Sequence, residues 1–203
     1  MKKIDFHMHT VTTVSDSPFE FSMEKLAEYV DFAGLDAIAI TNHNVFDPEQ
    51  FSRISHELDI ATFPGIEVDV DSCHILVIAE PENLPNFITA TELVKNSICS
   101  SDGHISIRRF KEIFCNLEDY LIIPHYEKKP EIKEGTLREL SSSVTCGEVN
   151  SAKKFIRCAK DESRLVPVLF SDDRMSTKLN YFSTRQTYID CGEVTLDAIK
   201  ACL

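Results

Sequence analysis

Segments rich in β-branched residues alternate with amphipathic ones along nearly the whole of this chain. That alternation constrains the fold most, because strands separated by helical crossovers pair in parallel and carry their helices outside. The strand-like segments are 3–7, 36–41, 60–70, 73–79, 121–124, 146–149, 166–170 and 187–190, with a turn at Asp71-Ser72. The helical ones begin with 23–33, where Leu26, Tyr29, Val30 and Ala33 share one face and Ser22 is a candidate N-cap. The next runs to about Leu58 from Asp47-Pro48, an N-cap carboxylate followed by proline in the first turn. Further helices are expected at 85–96, 107–116, 136–140 (opened by a Thr136–Glu139 capping box), 152–161 and from Leu196 onward. Six or seven such units within 203 residues point to one α/β domain, closed or nearly closed into a barrel.

The 43% apolar and 27% charged fractions are ordinary for a globular chain, which excludes disordered, collagen-like and coiled-coil architectures. No apolar run approaches the roughly 20 residues that span a bilayer, and no apolar signal core follows Lys2-Lys3, so a cytoplasmic protein is expected. Seven cysteines (73, 99, 115, 146, 158, 191, 202) without a C-x-x-C read as reduced thiols, mostly small buried residues. The net charge of −12 is carried by residues 1–100, which hold 5 basic and 17 acidic side chains; the remainder is balanced. Bulk electrostatics therefore do not favour nucleic acid, and part of the acidity suits a site for cations, with a solvated acidic surface accounting for the rest.

The polar residues beside the strands carry the chemistry. They are His7-Met8-His9, Thr41-Asn42-His43-Asn44, Glu67, His74, His125, Glu148-Val149-Asn150 and Ser171-Asp172-Asp173-Arg174. In a β/α barrel, residues beyond the strand C-termini converge on one mouth, so five of the seven histidines would meet there. H-x-H on a strand sets both imidazoles on one face, a half-site for Zn²⁺, Mn²⁺ or Fe²⁺. Added carboxylates allow a bridged metal pair. His56, on a helix among polar residues, and His104, in a loop, read as ordinary surface histidines.

This ordered set resembles the PHP family, named after polymerase and histidinol phosphatase. The matching pieces are residues 5–10, 41–44, 64–68, 74–76, Pro124-His125, 148–150 and Ser171-Asp172, so the core motifs span residues 4–174 of a single domain covering 1–203. The resemblance implies a distorted (β/α)7 barrel with a two- or three-metal centre at its C-terminal mouth, acting on phosphate esters. It implies that His7, His9, Glu67 and Asp172 hold a first metal. Glu67 would bridge to a second, held with His125 and His74, and Asp16 with His43 would be two legs of a third site. Its members include histidinol and nucleotide phosphatases and the proofreading or accessory domains of bacterial DNA polymerases.

Two positions depart from the pattern. Arg174 stands where the family has a histidine, and Asn42 where it has an aspartate. A guanidinium cannot coordinate a cation, so two divalent ions (Zn, Mn or Fe) are expected, with the third site weak or empty. Arg174 either clamps a substrate phosphate bidentately, as a catalytic residue, or pairs with Asp16. Loss of the aspartate at position 42 is expected to loosen the orientation of His43. Lys128 and Lys129 fall on a mouth-side loop, where they either guide an anionic substrate or are simply solvated.

The leading functional expectation is a hydrolase of phosphomonoesters, nucleotides or nucleic-acid ends, working through a metal-bridged hydroxide. The alternative is a catalytically degenerate module with a structural or regulatory role. Residues 187–203 are similar to the segment that joins PHP domains to ATPase domains in some bacterial proteins, so an ATPase domain or partner protein is an expected associate; no membrane association is expected. A third reading, a C–N hydrolase of the amidohydrolase kind, is disfavoured because no lysine lies in an expected core strand after the fourth.

Overall fold

The computed structural model describes residues 1–98, 100 and 103–203; Cys99 and part of the loop before His104 lie outside the described residues. Seven main strands follow in chain order: β1 (Lys2–His9), β2 (Ala37–Ile40), β3 (Ala61–Val70), β4 (Cys73–Ala79), β5 (Tyr120–Glu127), β6 (Cys146–Val149) and β7 (Val166–Val168). Short strands β8 (Asp173–Arg174) and β9 (Thr187–Ile189) both pair with β1. The sheet runs β7-β6-β5-β4-β3-β2-β1-β8. Its two ends meet where the chain leaves β7: Asp172 N donates to His7 O at 2.8 Å and Ser171 Oγ to the same carbonyl at 3.1 Å. The result is a nearly closed, distorted barrel.

Two parts of the sheet depart from the parallel arrangement that strict alternation implies; one is β9, antiparallel to β1. In the other, β3–β4 and β4–β5 are antiparallel. The cause is local: Asp71 and Ser72 both take positive φ (48° and 79°), which makes a two-residue hairpin turn between Val70 and Cys73. A strand entered through a hairpin runs backwards, so the start of β4, not its end, lies at the mouth. That is why His74, the second residue of β4, reaches the same place as residues at the ends of β1 and β5.

The helices are α1 (Met23–Ala33), α2 (Pro48–Glu57), α3 (Leu84–Ser97), α4 (Ile107–Ile113), α5 (Glu134–Leu140), α6 (Ala152–Ala159) and α7 (Leu196–Cys202). Ser22 and Asp47 cap α1 and α2 as expected, accepting from Lys25 N and Gln50 N. Gly34 closes α1 in the left-handed conformation, φ 61°. The expected capping box at Thr136 does not form. α5 starts two residues earlier at Glu134, so Thr136 lies inside the helix, buried, with its hydroxyl on Asp71 Oδ2. No described helix is long and apolar enough to cross a membrane.

All seven main strands contribute to the interior, through Ile4, Phe6, Ala39, Phe63, Leu76, Ile78, Ile123, Cys146 and Val168; Leu196 and Ile199 of α7 join this cluster. Separate clusters seat α1 and α2 against β2, and α3 and α4 against β3–β5. The β1–β2 register shifts between Asp5 and Met8. Phe6 packs inside while Met8 packs with α1, so the shift lets Phe6 and His7 both face the interior. Of the described cysteines, 73, 146, 158 and 191 are buried and 115 and 202 exposed, all as free thiols.

Gly147 sets how closely β6 approaches β5. A Cβ there would stand 2.5 Å from Tyr126 Cβ and 3.1 Å from Leu165 Cδ1. Gly147→Ala is expected to cost about 1–3 kcal/mol, the usual penalty of overpacking, measured as a lowered urea midpoint with unchanged m-value.

Candidate metal centre

At the mouth, one carboxylate lies among five imidazoles. Glu67 is 1% exposed. Its Oε2 is 3.1 Å from His7 Nε2, 3.5 Å from His9 Nε2 and 3.0 Å from His43 Nδ1. Its Oε1 is 2.7 Å from His74 Nδ1 and 3.1 Å from His125 Nε2. Asp172 completes the first group, with Oδ1 at 3.4 Å from His7 Nε2 and 3.1 Å from His9 Nε2. It is placed there by a left-handed backbone, φ 56°, at the seam between β7 and β8. The five histidines expected to converge do so. His56 and His104 are exposed on the surface.

These spacings suit a cation better than hydrogen bonds alone. Four atoms (His7 Nε2, His9 Nε2, Glu67 Oε2, Asp172 Oδ1) stand 3.1–3.5 Å apart in the pairs given above. Ligands at 2.0–2.1 Å on a tetrahedral ion are separated by about 3.4 Å. Both nitrogens of His125 are buried without a hydrogen-bond partner, although Nε2 is close to Glu67 and, at 3.3 Å, to Glu148 Oε2. His9 Nδ1, His43 Nδ1 and Asp69 Oδ1 are likewise buried without an aligned hydrogen bond, although His43 Nδ1 is 3.0 Å from Glu67 Oε2 and Asp69 Oδ1 is close to His74. Buried polar atoms are nearly always satisfied, so a group of close but misaligned donors marks convergence on an ion. The donor set therefore fits divalent metal, with His7, His9 and Asp172 gathered about Oε2 of Glu67 and His74 with His125 about Oε1.

A carboxylate behind His7 holds it from the far side. Glu148 Oε2, 1% exposed, is 2.8 Å from His7 Nδ1, which leaves Nε2 for the ion. Lys128 does not lie solvated on a loop. It is 7% exposed, with Nζ 2.7 Å from Glu148 Oε1, 2.9 Å from Asp172 Oδ2 and 2.9 Å from His7 Nδ1. It immediately follows β5, and the parallel β5–β6 pairing sets His125 opposite Glu148. Sequence reasoning assigned no role to Glu148 or Asp69; their positions at the mouth ends of β6 and β3 were the available signal. Asp69 Oδ1 is 2.8 Å from His74 Nε2, and Asn44 holds Asp69 through Nδ2 on Oδ2, at 2.7 Å.

Two expectations about the departures resolve structurally. Asn42 does not orient His43; its Oδ1 accepts from Thr10 N (2.6 Å) and Val11 N (2.9 Å), tying the loop after β1. Of the two readings of Arg174, the structure has the ion pair: Nε and Nη2 lie 3.0 and 2.9 Å from Asp16 Oδ1.

The charges interlock. Burial pushes the His7 pKa down, but Glu148, Glu67 and Asp172 outweigh it and hold the ring up at about 10. Against the same burial penalty, Asp69 and Glu67 hold His74 up at about 9. Burial wins at His9, which falls to about 4, and also lowers His43. Although burial opposes it, Glu148 is held well below the carboxylate range by His7 and Lys128, and Asp172 by His7, His9 and Lys128.

The PHP domain model matches residues 5–154. The chain belongs to the PHP family. Asp172 and Arg174 lie beyond the matched stretch, and the fold brings them to its centre. No curated protein matches the chain. Among solved structures, a two-domain protein of Bacteroides vulgatus containing a predicted PHP-like metal-dependent phosphoesterase superposes with TM-score 0.62 at 17% identity, over all of this chain and 62% of that one. A putative metal-dependent phosphoesterase of Bifidobacterium adolescentis gives 0.53 at 15%, over 98% and 95%. PsfC of Pseudomonas syringae gives 0.55 at 17%, over 84% and 75%. At these identities the likeness speaks for the PHP-type barrel.

Imidazoles must be neutral to ligate, so the raised His7 and His74 tie metal affinity to pH. Both hold protons at pH 7 in the metal-free protein, and those protons must leave. Apparent affinity for Mn²⁺ or Zn²⁺ should rise from pH 6 to 9, with net proton release at pH 7, read by calorimetry in buffers of different ionisation enthalpy. Glu67→Gln should lower affinity for both ions by at least about tenfold to a hundredfold.

Proposed function

We propose that this chain is a dinuclear metal-dependent phosphoesterase acting on phosphomonoesters, nucleotides or nucleic-acid ends. The observation that carries the proposal is Glu67, whose two oxygens face two separate sets of histidines. Bound there, divalent ions supply the Lewis acidity that acidifies water and neutralises phosphoryl oxygens. His7, His9 and Asp172 hold one ion, and His74 and His125 the other. Glu148 orients His7 from behind. Lys128 acts through charge rather than by holding substrate: its buried ammonium, fixed by Glu148, Asp172 and His7, adds permanent positive charge to the centre.

Charge balance supports the same reading. With the imidazoles neutral, as ligation requires, Asp16, Glu67, Asp69, Glu148 and Asp172 face two fixed cations, Lys128 and Arg174, which leaves three negative charges. Two dications reverse that to one positive charge, a centre attractive to a phosphate ester. A C–N hydrolase with a lysine-derived bridge fits poorly, because Glu67 holds the bridging position and Lys128 is in ion pairs.

The fixed cations also favour a second reading, a module that neutralises its own acidic centre and serves a structural or regulatory role beside an ATPase domain or partner protein. Turnover separates the two. With Mn²⁺ present, the wild type is expected to hydrolyse at least one substrate of a phosphatase and nuclease panel. His9→Ala should lower kcat/KM by at least about a hundredfold, and Lys128→Met should weaken it mainly through KM. A folded, metal-loaded protein with no turnover on the panel would favour the module.

A further inference from the structure

The five histidines of the centre are not equally covered. The side chains of His7 and His9 are fully buried and those of His125 and His43 nearly so, whereas that of His74 is 21% exposed. Next to His74 lies a cavity of about 400 Å³ whose lining includes Asp69, Ser72, His74, Gly103, His104 and Pro130. That volume falls at the lower end of the range for small-molecule sites.

Main-chain bonds fix two walls of this cavity. Ile105 N donates to Asp69 O and Asp71 N to Ile105 O, each at 3.0 Å, which fastens the residue between them in the segment, His104, to the end of β3. On the other side His74 N donates to Pro130 O at 3.4 Å. His104 is exposed and 30 residues from His74 in sequence, yet both line the same cavity.

The lining has a definite chemistry. Ser72 brings a hydroxyl and His104 two ring nitrogens, and among the described residues neither side chain has a hydrogen-bond partner. The Asp69 carboxylate is engaged already, with Asn44 on Oδ2 and His74 beside Oδ1. No phenyl, phenol or indole ring is among the described lining residues, so a nucleobase finds no platform on which to stack. Hydroxyl groups, which both donate and accept, match Ser72 and His104.

We infer that the cavity beside His74 is the subsite for the alcohol part of a substrate, with His104 and Ser72 as its specificity-determining residues, and that this alcohol is a small polyhydroxy group of the sugar or polyol kind. The inference rests on the phosphoesterase reading and narrows it: sugar and polyol monophosphates fit this cavity, and a nucleobase does not.

Occupancy of the subsite can be read without turnover. The ¹⁵N-labelled chain, loaded with Zn²⁺, is titrated with the methylene phosphonate analogue of ribose 5-phosphate, which has no hydrolysable P–O ester bond. Methylphosphonate is the control that lacks the sugar. The ring signals of His104, assigned through His104→Gln, should move with the sugar phosphonate and stay in place with methylphosphonate. His104→Ala should weaken binding of the sugar phosphonate by about tenfold, the worth of one hydrogen bond, and His56→Ala should leave it unchanged. With Mn²⁺, kcat/KM for ribose 5-phosphate should fall by a similar factor in His104→Ala, through KM. No His104 response to the sugar phosphonate, or an equal response to methylphosphonate, would overturn the inference, as would a wild type that prefers AMP to ribose 5-phosphate. A His104 response with no turnover of any ester defeats the phosphoesterase reading and leaves the subsite standing; turnover with no His104 response does the reverse.

Discussion

A carboxylate buried to 1% exposure and touching five histidines is the interaction on which the rest of this structure depends. Taking an ionised carboxylate out of water costs several kcal/mol unless charge and hydrogen bonds replace the solvent. Burial alone would drive Glu67 toward its neutral form, yet His7, His125 and His74 hold its pKa well below the usual range. The five histidines come from three strands and a loop: β1 (His7, His9), the loop after β2 (His43), β4 (His74) and β5 (His125). Their convergence requires the near-closure of the sheet, the hairpin that reverses β4 and the seam that ties Asp172 to His7.

The surroundings of Glu67 are asymmetric. On one side Lys128 and Glu148 stand behind His7; on the other Arg174 and Asp16 stand behind His43. Asp172 is gripped by both cations, one on each oxygen. Two permanent charges thus divide the acidic cluster with the ions it is built to take. The acidic excess of the first hundred residues includes Asp16, Glu67 and Asp69 of this centre.

Much of this was legible in the sequence. H-x-H after a strand, Glu67 after Pro64-Gly65-Ile66 and Asp172 after an apolar strand mark ligands because strand ends and period-two alternation fix where side chains point. His74 was legible as well, since Asp71-Ser72 announces the turn that brings the start of β4 to the mouth. What was not legible depended on pairing between distant strands. Lys128 is buried rather than solvated because β5 and β6 align His125 with Glu148, a register no local pattern encodes. Asn42 turned out to tie the loop after β1 for the same kind of reason, a contact 31 and 32 residues away in sequence. The choice for Arg174 between phosphate clamp and ion pair was not legible either, because its partners Asp16 and Asp172 are brought to it by the fold.

The most direct test of the central claim is anomalous diffraction from crystals soaked in Mn²⁺, collected on and off the manganese edge. Two anomalous peaks are expected about 3.5–4 Å apart, bridged by Glu67, one among His7, His9 and Asp172 and the other between His74 and His125, with the guanidinium of Arg174 still between Asp16 and His43. A peak between Asp16 and His43, or no peak beside Glu67, would contradict it.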